Sequence, residues 1–147
     1  MSLRDDIRRH EGLRLIPYRC TEGYWTIGVG HKISDDKTIT YDVACRLSGA
    51  PWTESQSYDQ CDRDIAAKQR ELDRFLPSLR NWPPAWQEAA IEMAFQMGTE
   101  GLLGFKKLIR CANEGDGQGA HAAALDSKWA REDTPERAAE VAAKFLK

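Results

Sequence analysis

One stretch of this 147-residue chain reads as β structure, and the rest reads as helix. From Pro17 to Ile33 the residues are Tyr, Trp, Thr, Ile and Val punctuated by Gly23, Gly28 and Gly30, the pattern of short antiparallel strands joined by tight turns. Elsewhere apolar residues recur three or four apart, the spacing of helices with one buried face. So small a sheet cannot build a core of its own and must pack against helices, so the chain is expected to be mostly helical α+β.

The helical segments carry their own start and stop signals. Leu3 and Ile7 follow Ser2, a candidate cap with Asp5 three residues on, and Gly12 is placed to end a first helix that runs to about His10. Thr40 and Gly49 bracket a second helix with Val43, Ala44 and Leu47 on one face. Tyr58, Cys61, Ile65, Leu72 and Phe75 then keep helical spacing over about five turns up to Pro77, long enough to connect two lobes. Pro83-Pro84 opens a stripe of Trp86, Ala90, Met93, Ala94 and Met97 that Gly98 closes. Leu102, Phe105, Leu108, Ile109 and Ala112 suggest one further short core helix, and Ala122, Leu125 and Trp129 another. Gly115 to Gly119 reads as a flexible loop between them, and Thr134-Pro135 starts a last helix with Ala138, Val141, Ala142 and Phe145 on its apolar face.

Composition narrows the function classes. Twenty-one Lys and Arg against 23 Asp and Glu give a net charge of −2, with no basic cluster, so a domain built to grip nucleic acid is not indicated. His10, His31 and His121 have no partners at ligand spacing, and Cys20, Cys45, Cys61 and Cys111 form no CxxC pair, so neither a metal site nor a dithiol redox site is expected. Cys45, Cys61 and Cys111 read as buried small apolar residues. The N-terminal residues show no signal-peptide pattern and no transmembrane helix is visible, which leads to the expectation of a protein that accumulates in the cytoplasm without inserting in a membrane.

The chemistry concentrates near the hairpin. Glu11 falls at the C-terminal end of the first helix, where the macrodipole disfavours a negative charge by a few tenths of a kcal/mol or more. A helix end and two facing strands would bring Glu11, Cys20 and Thr26 to one cleft wall. Glycoside cleavage needs such a set: a protonated carboxyl gives its proton to the leaving oxygen, while a second group activates water or attacks the anomeric carbon.

Glu11-Gly12-Leu13-Arg14-Leu15, then Tyr18, then Thr21-Glu22-Gly23-Tyr24-Trp25-Thr26-Ile27-Gly28-Val29-Gly30-His31, resembles the signature of the phage lysozyme family, the endolysins of T-even-phage type. The resemblance continues in order through residues 90–98 and 101–105, Ser127-Lys128-Trp129 and residues 134–138. It implies a single lysozyme domain over residues 1–147, with a small β-containing lobe at about 13–60 and a helical lobe at about 1–12 and 61–147, joined by a long helix. It also implies a muramidase cutting the β-1,4 bond between N-acetylmuramic acid and N-acetylglucosamine in peptidoglycan, with no cofactor and as a monomer. Such an enzyme would reach the wall through a phage-encoded pore.

On this resemblance Glu11 is the catalytic acid, with Cys20 second and Thr26 third in the triad, the Thr26 hydroxyl holding the attacking water. Phe95 and Gln96 match residues that line the glycan cleft. Arg137 matches a residue near the acid, where its charge either orients Glu11 or acts in the chemical step. The family usually has Asp where this chain has Cys20, with Cys as an accepted variant. A thiol is only a few per cent ionised near neutral pH unless a neighbour favours the thiolate, so Cys20 is expected to serve as a partly ionised base or nucleophile aided by Thr26.

Other signals carry less. Gly28-Val29-Gly30 lacks the third glycine and following helix of a phosphate loop, and fits tight strand geometry beside a polymer. His31 reads as a supporting, hydrogen-bonded histidine under the site. Trp86 and Trp129 lie on core stripes, as do Met93 and Met97, whereas Trp25 is the tryptophan best placed for partial exposure. A competing reading is a lysozyme-like module that binds peptidoglycan without cutting it; a helical interaction domain with no glycan function leaves the Glu-Cys-Thr spacing unexplained.

Overall fold

The computed structural model describes residues 2–147 and divides into two compact units, one running to Ala66 and one from Ala67 to Lys147. With 68% of residues helical and one three-stranded antiparallel sheet, the chain has the mostly helical α+β fold that its patterning predicts.

In the first unit, helix α1 (Leu3–Glu11) begins with a capping box: the Asp5 N–H donates to Ser2 Oγ at 3.2 Å and the Ser2 N–H to the Asp5 carboxylate at 3.3 Å. Gly12 ends it at φ 81°, a conformation that other residues rarely adopt. The chain then enters β1 (Arg14–Arg19), which pairs with β2 (Trp25–Gly28), which pairs with β3 (His31–Lys32). β1 starts ahead of Pro17, earlier than the sequence suggests. It is an edge strand whose ladder is irregular between Arg14 and Tyr18, so the missing proline N–H is tolerated there. The turn into β2 is closed by two bonds of 2.9 Å, from the Cys20 N–H to the Tyr24 carbonyl and from the Gly23 N–H to the Cys20 carbonyl.

Helix α2 (Tyr41–Ser48) is capped by the Thr40 hydroxyl and stopped by Gly49 at φ 72°. It packs on β1 and β2 through Ala44, which is fully buried, whereas Leu47, expected on the same face, is exposed. An eight-residue helix meeting a small sheet buries a narrow stripe, and Leu47 lies off it. Helix α3 (Glu54–Phe75) opens with a second reciprocal cap between Thr53 and Gln56 and runs past Ala66 into the second unit. Cys61 and Leu72 are buried on it, as expected, but Phe75 is exposed. Leu76 leaves helical geometry at φ −137° and takes the buried position instead.

The second unit is organised around α4 (Pro84–Leu103), buried on several faces from Trp86 to Ala94. It breaks at Gly98, whose φ of 83° only glycine takes without strain. Met97, expected in the core, is half-buried. Around α4 come α5 (Lys106–Asn113), α6 (Gly117–Leu125), α7 (Pro135–Ala143, with Pro135 at its first turn) and a final 3₁₀ turn, Lys144–Leu146. Lys144 pairs with the buried Glu92 of α4 at 3.2 Å. Trp86 and Trp129 are buried, and the Phe105 ring meets Trp129 edge-on at 6.0 Å.

On α6 two further expectations fail. Residues 117–119 are not loop but the first turn of α6, capped by the Asp116 carboxylate accepting from the Gly119 N–H at 2.8 Å. On α6 the buried positions are Ala120 and Ala124 rather than Ala122 and Leu125. Both follow from close backbone packing: a β-carbon on Gly117 would strike the Phe145 carbonyl oxygen and stand 2.8 Å from the Trp86 ring. Gly117→Ala should therefore lower stability by about 1–3 kcal/mol in urea unfolding, although alanine is the better helix former in isolation.

Candidate active site

The site grows from the junction of α1 with the sheet. Glu11 is the last residue of α1, half-buried, and Gly30 lies between β2 and β3 at φ 65°. A β-carbon on Gly30 would sit 3.0 Å from Glu11 Cδ and 3.1 Å from Oε2, so the carboxyl rests directly on bare backbone. Gly28 does the same for another side chain, since a β-carbon there would lie 2.9 Å from the Trp52 ring. The space over both glycines is filled by the chain's own side chains, so each allows a close approach that a β-carbon would obstruct.

Cys20 and Thr26 belong to the same hairpin. Cys20 closes the turn with its backbone and is half-buried. Thr26, in the central strand, is 4% exposed and donates its hydroxyl proton to the Tyr24 carbonyl at 3.0 Å. With its donor committed, Thr26 Oγ1 retains acceptor lone pairs and can hold a water by one of that water's protons. Tyr18 lies opposite Thr26 in the ladder. Burial raises the Tyr18 phenol above its ordinary pKa, and the charges of Glu11 and Cys20 push the same way against that of Arg14.

His31, on β3 opposite Ile27, is tied down from α3: its Nδ1 lies 2.8 Å from Asp64 Oδ2, while the Gln60 amide donates to Asp64 Oδ1 at 2.9 Å and Arg63 donates to Gln60 at 2.8 Å. The ring stands 5.7 Å from that of Trp52. This chain of contacts braces β3, and with it Gly30 beneath Glu11. Sequence reading did not find Asp64, because it lies 33 residues from His31 and no motif links them. Trp25 is half-buried, with the Arg19 guanidinium 4.3 Å from its ring centroid and the Tyr41 ring at 5.6 Å.

Phe95, Gln96 and Arg137 belong to the second unit, and all three are half-buried. The Gln96 amide bridges two elements there, donating to Thr134 Oγ1 at 3.0 Å and accepting from Trp129 Nε1 at 3.0 Å. It thereby fastens α4 to the start of α7. The second N–H of the amide has no partner among the described residues.

All four cysteines are free thiols; Cys61 and Cys111 are buried, whereas Cys45, expected to be, is only half-buried. Burial, reinforced by Asp62 and Asp64, pushes the Cys61 thiol up to about 12. Among the described residues, no cluster of His, Cys, Asp and Glu is arranged to hold a metal ion, and no helix is long and apolar enough to cross a membrane.

An acid seated at a helix end, over a three-stranded hairpin region and beside a long helix, defines a lysozyme-like architecture. The sequence profile of the phage lysozyme family matches residues 8–141. The chain is 30% identical to "Probable T4-type lysozyme 1" of Dictyostelium discoideum over 95% of its own length and 91% of that protein's. It is 29% identical to "Probable T4-type lysozyme 2" of the same organism, over 98% and 93%. It is also 35% identical to the "Pre-baseplate central spike protein Gp5" of Enterobacteria phage T4, over 88% of its length but only 25% of that protein's. The chain belongs to the phage lysozyme family, and so to the lysozyme-like peptidoglycan hydrolases.

Two outcomes follow from this geometry. Gly30→Ala should shift the Glu11 carboxyl by a few tenths of an ångström and lower cell-wall-clearing activity by up to about 10²-fold, with a loss of about 1–2 kcal/mol in thermal unfolding from alanine at positive φ. Because the folded state holds the Cys61 proton more tightly than the unfolded chain does, the stabilisation it gives is complete below the ordinary thiol pKa of 9.0 and is lost as pH rises toward about 12. Between about pH 8 and 10.5 the melting temperature of wild type should accordingly fall more steeply than that of Cys61→Ala.

Proposed function

We propose that the chain is an endolysin-type muramidase that hydrolyses the β-1,4 bond between N-acetylmuramic acid and N-acetylglucosamine and so lyses the host cell. The observation that carries the reading is the Glu11 carboxyl pressed onto the bare backbone of Gly30, in the unit whose hairpin presents Cys20 and Thr26. Family membership supports the substrate class. Glu11 is the general acid and gives its proton to the leaving glycosidic oxygen. The free acceptor face of the Thr26 hydroxyl holds the attacking water, and Cys20 assists as a partly ionised base or as the nucleophile.

Phe95 and Gln96 contact the glycan, and His31 and Arg137 support the site. His31 does so through its bond to Asp64, which keeps β3 and Gly30 in place. The enzyme works as a monomer and passes from the host cytoplasm to the wall through a phage-encoded pore. With a net charge of −2, long-range attraction to an anionic wall is weak, so recognition rests on local contacts to the sugar chain.

The test is lysis of outer-membrane-permeabilised cells by wild type, Glu11→Gln, Cys20→Ala and Cys20→Ser, with mass analysis of the soluble fragments. Wild type should release fragments with reducing muramic ends, and Glu11→Gln should lose about 10²–10⁴-fold in rate, the usual worth of a positioned acid. A Cys20→Ser pH–activity profile identical to wild type would remove the thiol from the chemistry. Wall binding without cleavage by any of the four would replace the hydrolase with a non-catalytic binding module.

A further inference from the structure

The hairpin holds one polar group that none of these roles uses. Tyr18 faces Thr26 directly across the β1–β2 ladder, and facing residues of an antiparallel pair project from the same side of the sheet, which makes the Tyr18 side chain a neighbour of the Thr26 hydroxyl. The Arg14 guanidinium lies 4.9 Å from the centroid of its ring and holds the ring by cation–π attraction. The side chain is half-buried, so the ring is fixed while its edge still meets solvent.

The phenol oxygen, by contrast, has no hydrogen-bond partner among the described residues, although most half-buried tyrosines find one. The surroundings also keep it a donor: burial and the charges of Glu11 and Cys20 all disfavour the phenolate, which places the hydroxyl within electrostatic reach of both the acid and the thiol. A phenylalanine would fill the same space and stack equally under Arg14. What tyrosine adds is one uncommitted O–H beside the groups that cut the glycan.

We propose that Tyr18 is a further substrate-contacting residue of this site, whose hydroxyl donates a hydrogen bond to an acceptor oxygen of the bound saccharide, a sugar hydroxyl or an N-acetyl carbonyl, next to the bond being cut. The assignment rests on the hydrolase reading above. A hydroxyl donor suits this ligand because peptidoglycan sugars present neutral oxygen acceptors, and a neutral donor places them without adding charge beside Glu11. Arg14 acts through the ring as a positioning residue.

The test compares wild type, Tyr18→Phe and a protein with fluorotyrosine incorporated at position 18, each as the full chain, on purified peptidoglycan across a pH series. Tyr18→Phe should keep the wild-type melting temperature and lose about tenfold in kcat/KM, the worth of one hydrogen bond. Fluorotyrosine, which keeps the hydroxyl but ionises at lower pH, should retain activity near neutrality and move the alkaline limb of the profile to lower pH, a change that a purely structural tyrosine would not produce. If Tyr18→Phe cuts with wild-type kcat/KM, or the fluorinated protein keeps the wild-type alkaline limb, the role of Tyr18 is overturned while the hydrolase stands. Wild type that cuts no peptidoglycan overturns both.

Discussion

The contact of the Glu11 carboxyl with the Gly30 backbone sets terms that much of the first unit has to meet. A β-carbon on Gly30 would stand 3.0 Å from the Glu11 carboxyl carbon, close enough that the carboxyl would have to shift by a few tenths of an ångström to make room. α1 meets its share by ending at Gly12, whose φ of 81° swings the chain straight into β1 and leaves Glu11 on the last helical turn. β3 meets its share through His31, clamped to Asp64 on α3 at 2.8 Å, with Gln60 and Arg63 behind the clamp. Side chains from α3 therefore hold the floor on which the acid sits.

The second unit has a comparable fixed point, of a different kind. Glu92 is 1% exposed and meets Lys144 at 3.2 Å, with Glu88 at 3.8 Å from the same ammonium. Removing two charges from water is costly, and such a pair is tolerated when both partners are held in place. Here α4 holds the carboxylates, and the final 3₁₀ turn delivers the lysine beside Phe145, itself packed on Trp86 with ring centroids 6.1 Å apart. Gly117 closes against both, since any side chain there would meet the Phe145 carbonyl and the Trp86 ring. Within the glycine-rich stretch at 115–119, Gly117 thus serves packing, whereas Gly115 sits in an open turn at φ 76°, a difference that composition cannot show.

That stretch marks where the sequence was legible and where it was not. Local signals translated directly: Ser2 with Asp5, Thr40 and Gly49, Gly98 and Pro135 all act over one helical turn and stand where their chemistry predicts. The hairpin was visible because β-branched and aromatic residues between glycines have few alternatives. What failed depends on which neighbour arrives. Leu47 and Phe75 are apolar at helical spacing yet exposed, because the packed partner covers Ala44 in one case and Leu76 takes the buried place in the other. The positions of Glu11, Cys20 and Thr26 within one unit were approachable through the family signature, whereas Asp64 became visible only when α3 was laid beside β3.

The thiol at position 20 changes how the work divides within that set. A carboxylate at this place would offer two oxygens as strong acceptors for a water, and a cysteine offers a single sulfur, a weaker hydrogen-bonding atom. In the proposed mechanism, orientation of the water then falls more heavily on Thr26, whose hydroxyl geometry suits it to that part. Its proton is already given to the Tyr24 carbonyl at 3.0 Å, so its lone pairs have a defined direction. The turn that fixes Tyr24 is closed by the backbone of Cys20 itself. The bond from the Cys20 N–H to the Tyr24 carbonyl is made by backbone, so it helps to orient Thr26 whichever side chain stands at position 20.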